Sequence, residues 1–228
     1  MEKIIFSNNQ PEETLLSSPL NDKHECLLSK DENNGEVSCN SFFSREELLK
    51  IGFKQVGINV KISRKASFYA PNKISIGNNV RIDDFCILSG NITIGNYIHI
   101  AAYSALYGGD KGITLDDFVN ISSRVCIYSV SDDYSGISMT NPMVPDELKN
   151  VVSQKVYLKK HVIIGSTSVI LPGVILEEGS AFGSFSLINH NSEPWSINAG
   201  IPAKKIKDRN KNILNIEKEH FVNGVLKE

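Results

Sequence analysis

VRIDDFCILSGNITIGNYIHIAAYSALYGG, running from Val80 to Gly109, decides how this chain folds. Read at every sixth position from Ile76, it gives Ile82, Leu88, Ile94, Ile100 and Leu106. A helix places apolar residues every three or four positions and a half-buried strand every two, so a period of six fits neither. It suits a short strand followed by a corner, three of which close one triangular coil. Working outward, the register opens at Ile62 and Phe68 and resumes after two extra residues at Ile76. After three more it reaches Leu115, Ile121 and Ile127. Beyond a long interruption it returns at Leu158, Ile164, Ile170, Leu176, Phe182 and Ile188. Four residues past these positions stand smaller side chains, among them Ala66, Val80, Cys86, Ser104, Val119, Val125, Val162, Ser168, Val174, Ser180 and Ser186.

A single coil of this kind cannot bury its apolar edge, so stability must come from stacking coil on coil. Gly77, Gly95, Gly165 and Gly183 each follow an aliphatic and are read as corner residues where a β-carbon would hinder the turn. An ordinary β-sandwich would not keep one register over so many units. The fold expected is all-β, a parallel coil stack with appendages.

Composition narrows the function. The 228 residues are 41% hydrophobic, enough for one well-buried domain. A formal charge of −2 leaves no basic field for nucleic acid or an anionic membrane. The longest apolar runs, such as SVILPGVIL, are too short to span a bilayer, and MEKIIFSNNQ has too short an apolar core for a signal peptide. A cytoplasmic protein is expected. The four cysteines lack zinc-ligand spacing, so no metal is expected, and Cys86 and Cys126 are read as packing residues at small-residue slots.

Residues 1–43 form a polar leader in which ENNGEV could turn a small hairpin, with a disordered tail as the alternative. SREELLKIG carries a capping box, Ser44 with Glu47, and Gly52 ends that short helix. The coil stack is assigned to 44–206, with an inserted loop at 131–155. The tail, 207–228, is assigned to a helix whose face of Ile213, Ile216 and Phe221 packs on the end of the stack, a partner helix being the alternative.

KHVIIGSTSVILPGVILEEGSAFGSFSLINHNSEPWSINAGIPAKKIK resembles the last coils and the AGxPAK terminus of the hexapeptide-repeat acyltransferases, and the resemblance extends roughly from Ser44 to Lys207. It implies a left-handed parallel β-helix, a homotrimer, and acyl-coenzyme A as co-substrate. ASFYAPNKISIGNNVRIDDFCILSG and SVSDDYSGISMTNPMVPDE look most like a branch that acylates nucleotide-linked amino sugars, including dTDP-4-amino-4,6-dideoxyglucose. The implied activity is N-acyl transfer to such a sugar. O-acetylation of a galactoside or polysaccharide sugar is the alternative, and a non-catalytic scaffold a second one.

Galactoside-type members of the family carry a catalytic histidine five residues after the aliphatic that precedes the loop. Here that position is Asp132, followed by Asp133. A hydroxyl needs a base titrating near neutrality, whereas a neutral amine attacks a thioester unaided and needs chiefly to be bound and oriented. Loss of the histidine therefore favours an amine acceptor. A second family position, on a facing coil, falls on Asp83 with Asp84 beside it; paired acids can raise each other's pKa. For both acid pairs ordinary turn chemistry is the competing reading, as in Asp116/Asp117. His99 is a further candidate that points outward, with an interface histidine as its plain reading. The resemblance places coenzyme contacts at Ser166, whose amide is a candidate oxyanion donor, and at Ser184, Asn189, His190, Gly200, Pro202, Lys204 and Lys207. Tyr69, Tyr103, Tyr107, Arg81 and Arg124 are open candidates for the thymine and pyrophosphate, each with an ordinary surface reading.

Overall fold

The computed structural model describes residues 41–222 and 224–227. The leader up to residue 40, with its expected hairpin, lies outside them. Helix α1, Arg45–Ile51, starts as its sequence dictates. The Ser44 hydroxyl accepts from the Glu47 amide at 3.2 Å, the Glu47 carboxylate accepts from the Ser44 amide at 2.7 Å, and Gly52 closes the helix in the left-handed region.

From Gln55 the chain winds into a parallel β-solenoid of about seven turns with three faces. The first face stacks Lys61–Ile62, Val80–Ile82, Ile98–Ile100, Asn120–Ile121, Ile163–Ile164, Ala181–Phe182 and Ser196–Gly200 in register. The second stacks Ser67–Tyr69, the starts of the long strands Ile87–Ile94 and Ala105–Leu115, then Cys126–Tyr128, Val169–Ile170 and Leu187–Ile188. The third stacks Gln55–Val56, Ile74–Ile76, the ends of those long strands, Val156–Leu158 and Ile175–Leu176. The hexad aliphatics line the inside. All are buried except Phe68, which is half-buried at the entrance. At about 1.5–3 kcal/mol for each fully buried aliphatic, this column is the dominant stabilising term.

The corners differ from the reading that glycine makes the turn. In two corners the left-handed position is filled by large residues: Tyr97, Phe118, His161 and Trp195 between the third and first faces, and Phe85, Tyr103, Arg124 and Phe185 between the first and second. Glycines two residues earlier serve another need. A β-carbon on Gly77 would lie 2.4 Å from the Gly95 carbonyl oxygen, so the coils could not approach. The left-handed rings cost about 1–2 kcal/mol each, offset by stacking along the edge. Tyr97 stacks on Phe118 at 5.1 Å, Phe118 on His161 at 5.1 Å, and Phe85 on Tyr103 at 4.9 Å. Gly179 is the next rung above His161. A β-carbon there would meet the Trp195 ring at 2.5 Å, so its absence lets the indole lie across that rung towards His161.

The tail departs from expectation in three ways. Strand Ala203–Asp208 folds back on Ser196–Gly200 and runs through the boundary assigned at 206/207. Helix α2 spans only Asn212–His220, and a short hairpin of Phe221–Val222 with Val225–Leu226 follows it. The helix packs along the side of the stack rather than its end. Phe221 meets Tyr97 and Phe118 edge-on, while Glu217 bonds Lys160 and His161 Nε2. Of the expected face, Ile216 is half exposed and Ile213 half-buried, and the contacts over the ring edge are made by Phe221 and Glu217. No helix among the described residues is long and apolar enough to cross a membrane. Cys86 fills an inward slot and burial pushes its thiol up to about 11, whereas Cys126 points outward from the second face.

Candidate active site

On the first face two rows of side chains point outward, one residue before and one after the buried aliphatic, repeating at a coil spacing of about 4.8 Å. Ascending the stack, the first row reads Lys61, Arg81, His99, Asn120, Ile163, Ala181. The second reads Ser63, Asp83, Ala101, Ser122, Gly165, Gly183, each amide bonded to the carbonyl of the inward-facing residue one coil above. The face is therefore charged in its lower half, polar at Asn120 and Ser122, and bare in its upper half.

The structure brings two of the candidates together. Asp83 accepts from Arg81 Nε at 2.7 Å through one oxygen and meets His99 Nε2 at 2.7 Å through the other. The Asp83 side chain is 18% exposed and that of His99 42%. Asp84 is a separate matter. It accepts from the Ser63 hydroxyl and from Lys65 Nζ at 2.9 Å, and these bonds, Ser63 foremost, hold its carboxyl below the usual range. The two neighbouring acids take different partners and form no proton-sharing pair.

The interruption opens at the corner between the second and third faces. Val130–Ser131 pairs with Val152–Ser153 to make its neck, and its tip exposes Tyr134, Ile137 and Met143, each at least 90%. Asp133 is committed to the loop itself. It accepts from the Ser135 amide and the Ser138 hydroxyl, each at 2.8 Å, and hydrogen bonds from these serines bring its pKa down to about 2. Asp132, half-buried at the neck, bonds through its carboxylate to none of the described residues.

The candidate coenzyme contacts divide between two edges. Ser166 and Ser184 lie on the edge joining the first and second faces, beside the bare glycine floor. Asn189 and His190, bonded to each other at 2.9 Å, lie on the edge joining the second and third, as the loop does. Gly200 and Pro202 form the tip of the terminal hairpin, and Lys204, Lys205 and Lys207 lie exposed on its returning strand, Lys205 between Glu193 and Asp208. Within one copy these groups do not converge. Ser122 and Asp132 are likewise separated by the strand Cys126–Tyr128, itself about 10 Å at 3.3 Å per residue, and by the corners that flank it.

Residues 73–108 match the family described as bacterial transferase hexapeptide (six repeats). Over 180 residues the chain is 52% identical to a dTDP-4-amino-4,6-dideoxy-D-glucose acyltransferase of Escherichia coli, covering 78% of this chain and 93% of that one. The chain belongs to the hexapeptide-repeat acyltransferases. A galactoside O-acetyltransferase of Escherichia coli K12 is a more distant member, 27% identical over 169 residues, 73% of this chain and 69% of that protein.

Among solved acyltransferases of the family, AntD, an N-acyltransferase from Bacillus cereus, matches with TM-score 0.78 and 57% identity. The match covers 79% of this chain and 96% of AntD, which is bound there to dTDP and 3-hydroxybutyryl-CoA. A variant of AntD at 55% identity and the same TM-score, covering 80% and 97%, holds dTDP-4-amino-4,6-dideoxyglucose with coenzyme A. Solved AntD variants are substituted at a serine or at an aspartate ten positions later. On the first face of the present chain, Ser122 is a polar residue that the sequence reading does not single out. It occupies the same slot as Asp83 two coils higher, and the register locates it once the slot after each aliphatic is followed up the stack.

Proposed function

We propose that this acyltransferase moves an acyl group from acyl-coenzyme A to the amine of dTDP-4-amino-4,6-dideoxyglucose in the cytoplasm, for surface-glycan synthesis. The observation that carries this reading is the 52% identity over nearly the whole length of an acyltransferase for that sugar. The AntD complexes with coenzyme A and the same sugar nucleotide support it. A serine followed ten positions later by an aspartate occurs at two places in this chain, Ser122/Asp132 and Ser123/Asp133. The first pair fits better, because Asp133 is already bonded within its loop.

The working site takes residues from two copies. The loop and Asn189/His190 leave from one edge of the prism, while Ser122, Ser166 and Ser184 stand at another, with the second face between them. That face carries an apolar outward row of Ile87, Ala105, Cys126, Val169 and Leu187. Turning this row towards a three-fold axis sets the loop edge of each copy against the first face of the next, and the ring closes. The coenzyme arm then lies on the glycine floor, with Ser166 and Ser184 on one wall and Asn189 and His190 on the other. Lys204 and Lys207 stand near its phosphates, and Gly200 and Pro202 shape the terminal turn.

In this cleft the amine nitrogen bonds to the thioester carbon, the carbon–sulfur bond breaks, and the departing thiolate balances the proton that nitrogen sheds. Asp132 holds the arriving ammonium and orients the amine after deprotonation. The test supplies acetyl- and 3-hydroxybutyryl-coenzyme A with the 4-amino sugar nucleotide and with its 4-hydroxyl counterpart. Amide formation with little ester is expected; preference for the hydroxyl would overturn N-acylation.

A further inference from the structure

The charged lower half of the first face has no role in the arrangement above. Two long anionic substrates must meet at the Ser122 rung. The upper half, with Gly165, Gly183, Ile163 and Ala181, offers a smooth floor and ends at the lysines of the terminal hairpin. The sugar nucleotide is then left the direction down the stack, across His99 and Arg81.

We propose that Arg81 and His99, held in place by Asp83, bind the diphosphate of the sugar nucleotide on the lower half of the first face. The inference rests on the function proposed above and extends it to a named substrate station. His99 lies one coil below Asn120 and Arg81 one coil below His99, steps of about 4.8 Å. A hexose ring separates its C4 nitrogen from its anomeric oxygen by roughly one such coil height. An amine at the Ser122 rung therefore places the two phosphates beside His99 and Arg81.

The fixing geometry is already built. Asp83 engages Arg81 only through Nε, leaving the terminal guanidinium nitrogens for a ligand, and engages His99 only through Nε2, leaving Nδ1. The Arg81 guanidinium also lies over the Phe42 ring, 5.6 Å from its centroid, a contact that steadies it. A guanidinium braced in this way presents a ready fork for phosphate oxygens.

Coenzyme A also carries a diphosphate, so the experiment separates the two sources. Calorimetry with dTDP, thymidine and coenzyme A is run on the intact protein and on Arg81→Ala, Arg81→Lys, His99→Ala and, as an exposed cation elsewhere, Lys111→Ala. Arg81→Ala and His99→Ala should weaken dTDP about tenfold or more while leaving thymidine and coenzyme A unchanged, Arg81→Lys should lose less, and Lys111→Ala nothing. Unchanged dTDP affinity in both alanine variants overturns the proposal. So does equal loss for thymidine, which would mark a structural role, or loss confined to coenzyme A. Should Arg81→Ala unfold, Arg81→Lys and His99→Ala carry the same comparison. If the unaltered protein acylates the amino sugar and Arg81 is indifferent, this inference falls and the function stands. If it binds dTDP through Arg81 but acylates no amine, the function falls and the station stands.

Discussion

The proposed site, shared between copies, makes a quantitative prediction. Ser122→Tyr fills the space above its rung, and Asp132→Asn removes the charge that holds the amine, so each variant alone should have little activity. Suppose the two are unfolded, mixed in equal amounts and refolded together. A working cleft needs Ser122 from one copy and Asp132 from the next. In a three-fold ring with random mixing, each cleft meets that condition with one-half times one-half probability, so about a quarter of clefts work. The assay is the rate of coenzyme A release with the amino sugar nucleotide, compared with unaltered protein refolded in the same way. Recovery near a quarter is expected. If both residues served one site inside one copy, mixing would restore nothing, and that result would refute the assignment of the loop to the neighbour.

Four further outcomes follow from the geometry. Asp132→Asn should lower kcat for the amine about tenfold or more, while Asp133→Asn loosens the loop, read as faster proteolytic cleavage near Tyr134. The Asp133 carboxyl is held down to about 2, so the order it gives the loop is present above the ordinary carboxylate range and is lost only as pH falls towards that value. Leu106→Ala, in mid-stack with no exposure, should cost about 2–5 kcal/mol in urea unfolding. Gly165→Ala places a methyl 2.4 Å from the Ser184 amide nitrogen and should cost about 1–3 kcal/mol, more than Gly183→Ala, whose methyl comes no nearer than 3.1 Å to any atom, the Ala199 methyl. Glu217→Gln removes the charge that Lys160 and His161 share. Burial works against ionisation of Glu217, but those two hydrogen bonds hold its carboxyl below the usual range. The contribution is therefore present above that range and lost as pH falls through the lowered value, and faster hydrogen exchange in α2 is the readout.

The inside of this molecule was legible in its sequence, and the outside only in part. Ile82, Leu88 and Ile100 announce themselves because an inward position takes an apolar side chain, almost always an aliphatic, and the small residues Cys86 and Ser104 follow from the space at a corner. The capping box of α1 is local chemistry and needed no tertiary information. Outward positions carry no such constraint. Asp83 and His99 are sixteen residues apart, and only the coil length, which varies along this chain, tells that they meet. The left-handed rings at Tyr97 and Phe118 defeat a rule that reserves such corners for glycine, since stacking between coils is invisible along the chain. Helical spacing puts Ile216 on the packed face, but the ring edge under α2 offers Lys160 and His161, which select Glu217 and leave Ile216 half exposed.

The outward rows of the first face also behave as a ruler graduated in coil heights. Whatever a ligand presents at one graduation, its next group must fall about 4.8 Å away or miss. Discrimination between acceptors can therefore reside in length as much as in chemistry: a sugar whose amine sits one bond nearer its phosphates meets the wrong mark, although every functional group is present. Remeasuring the scale for such a sugar means exchanging one side chain on a coil that the aliphatic column already holds.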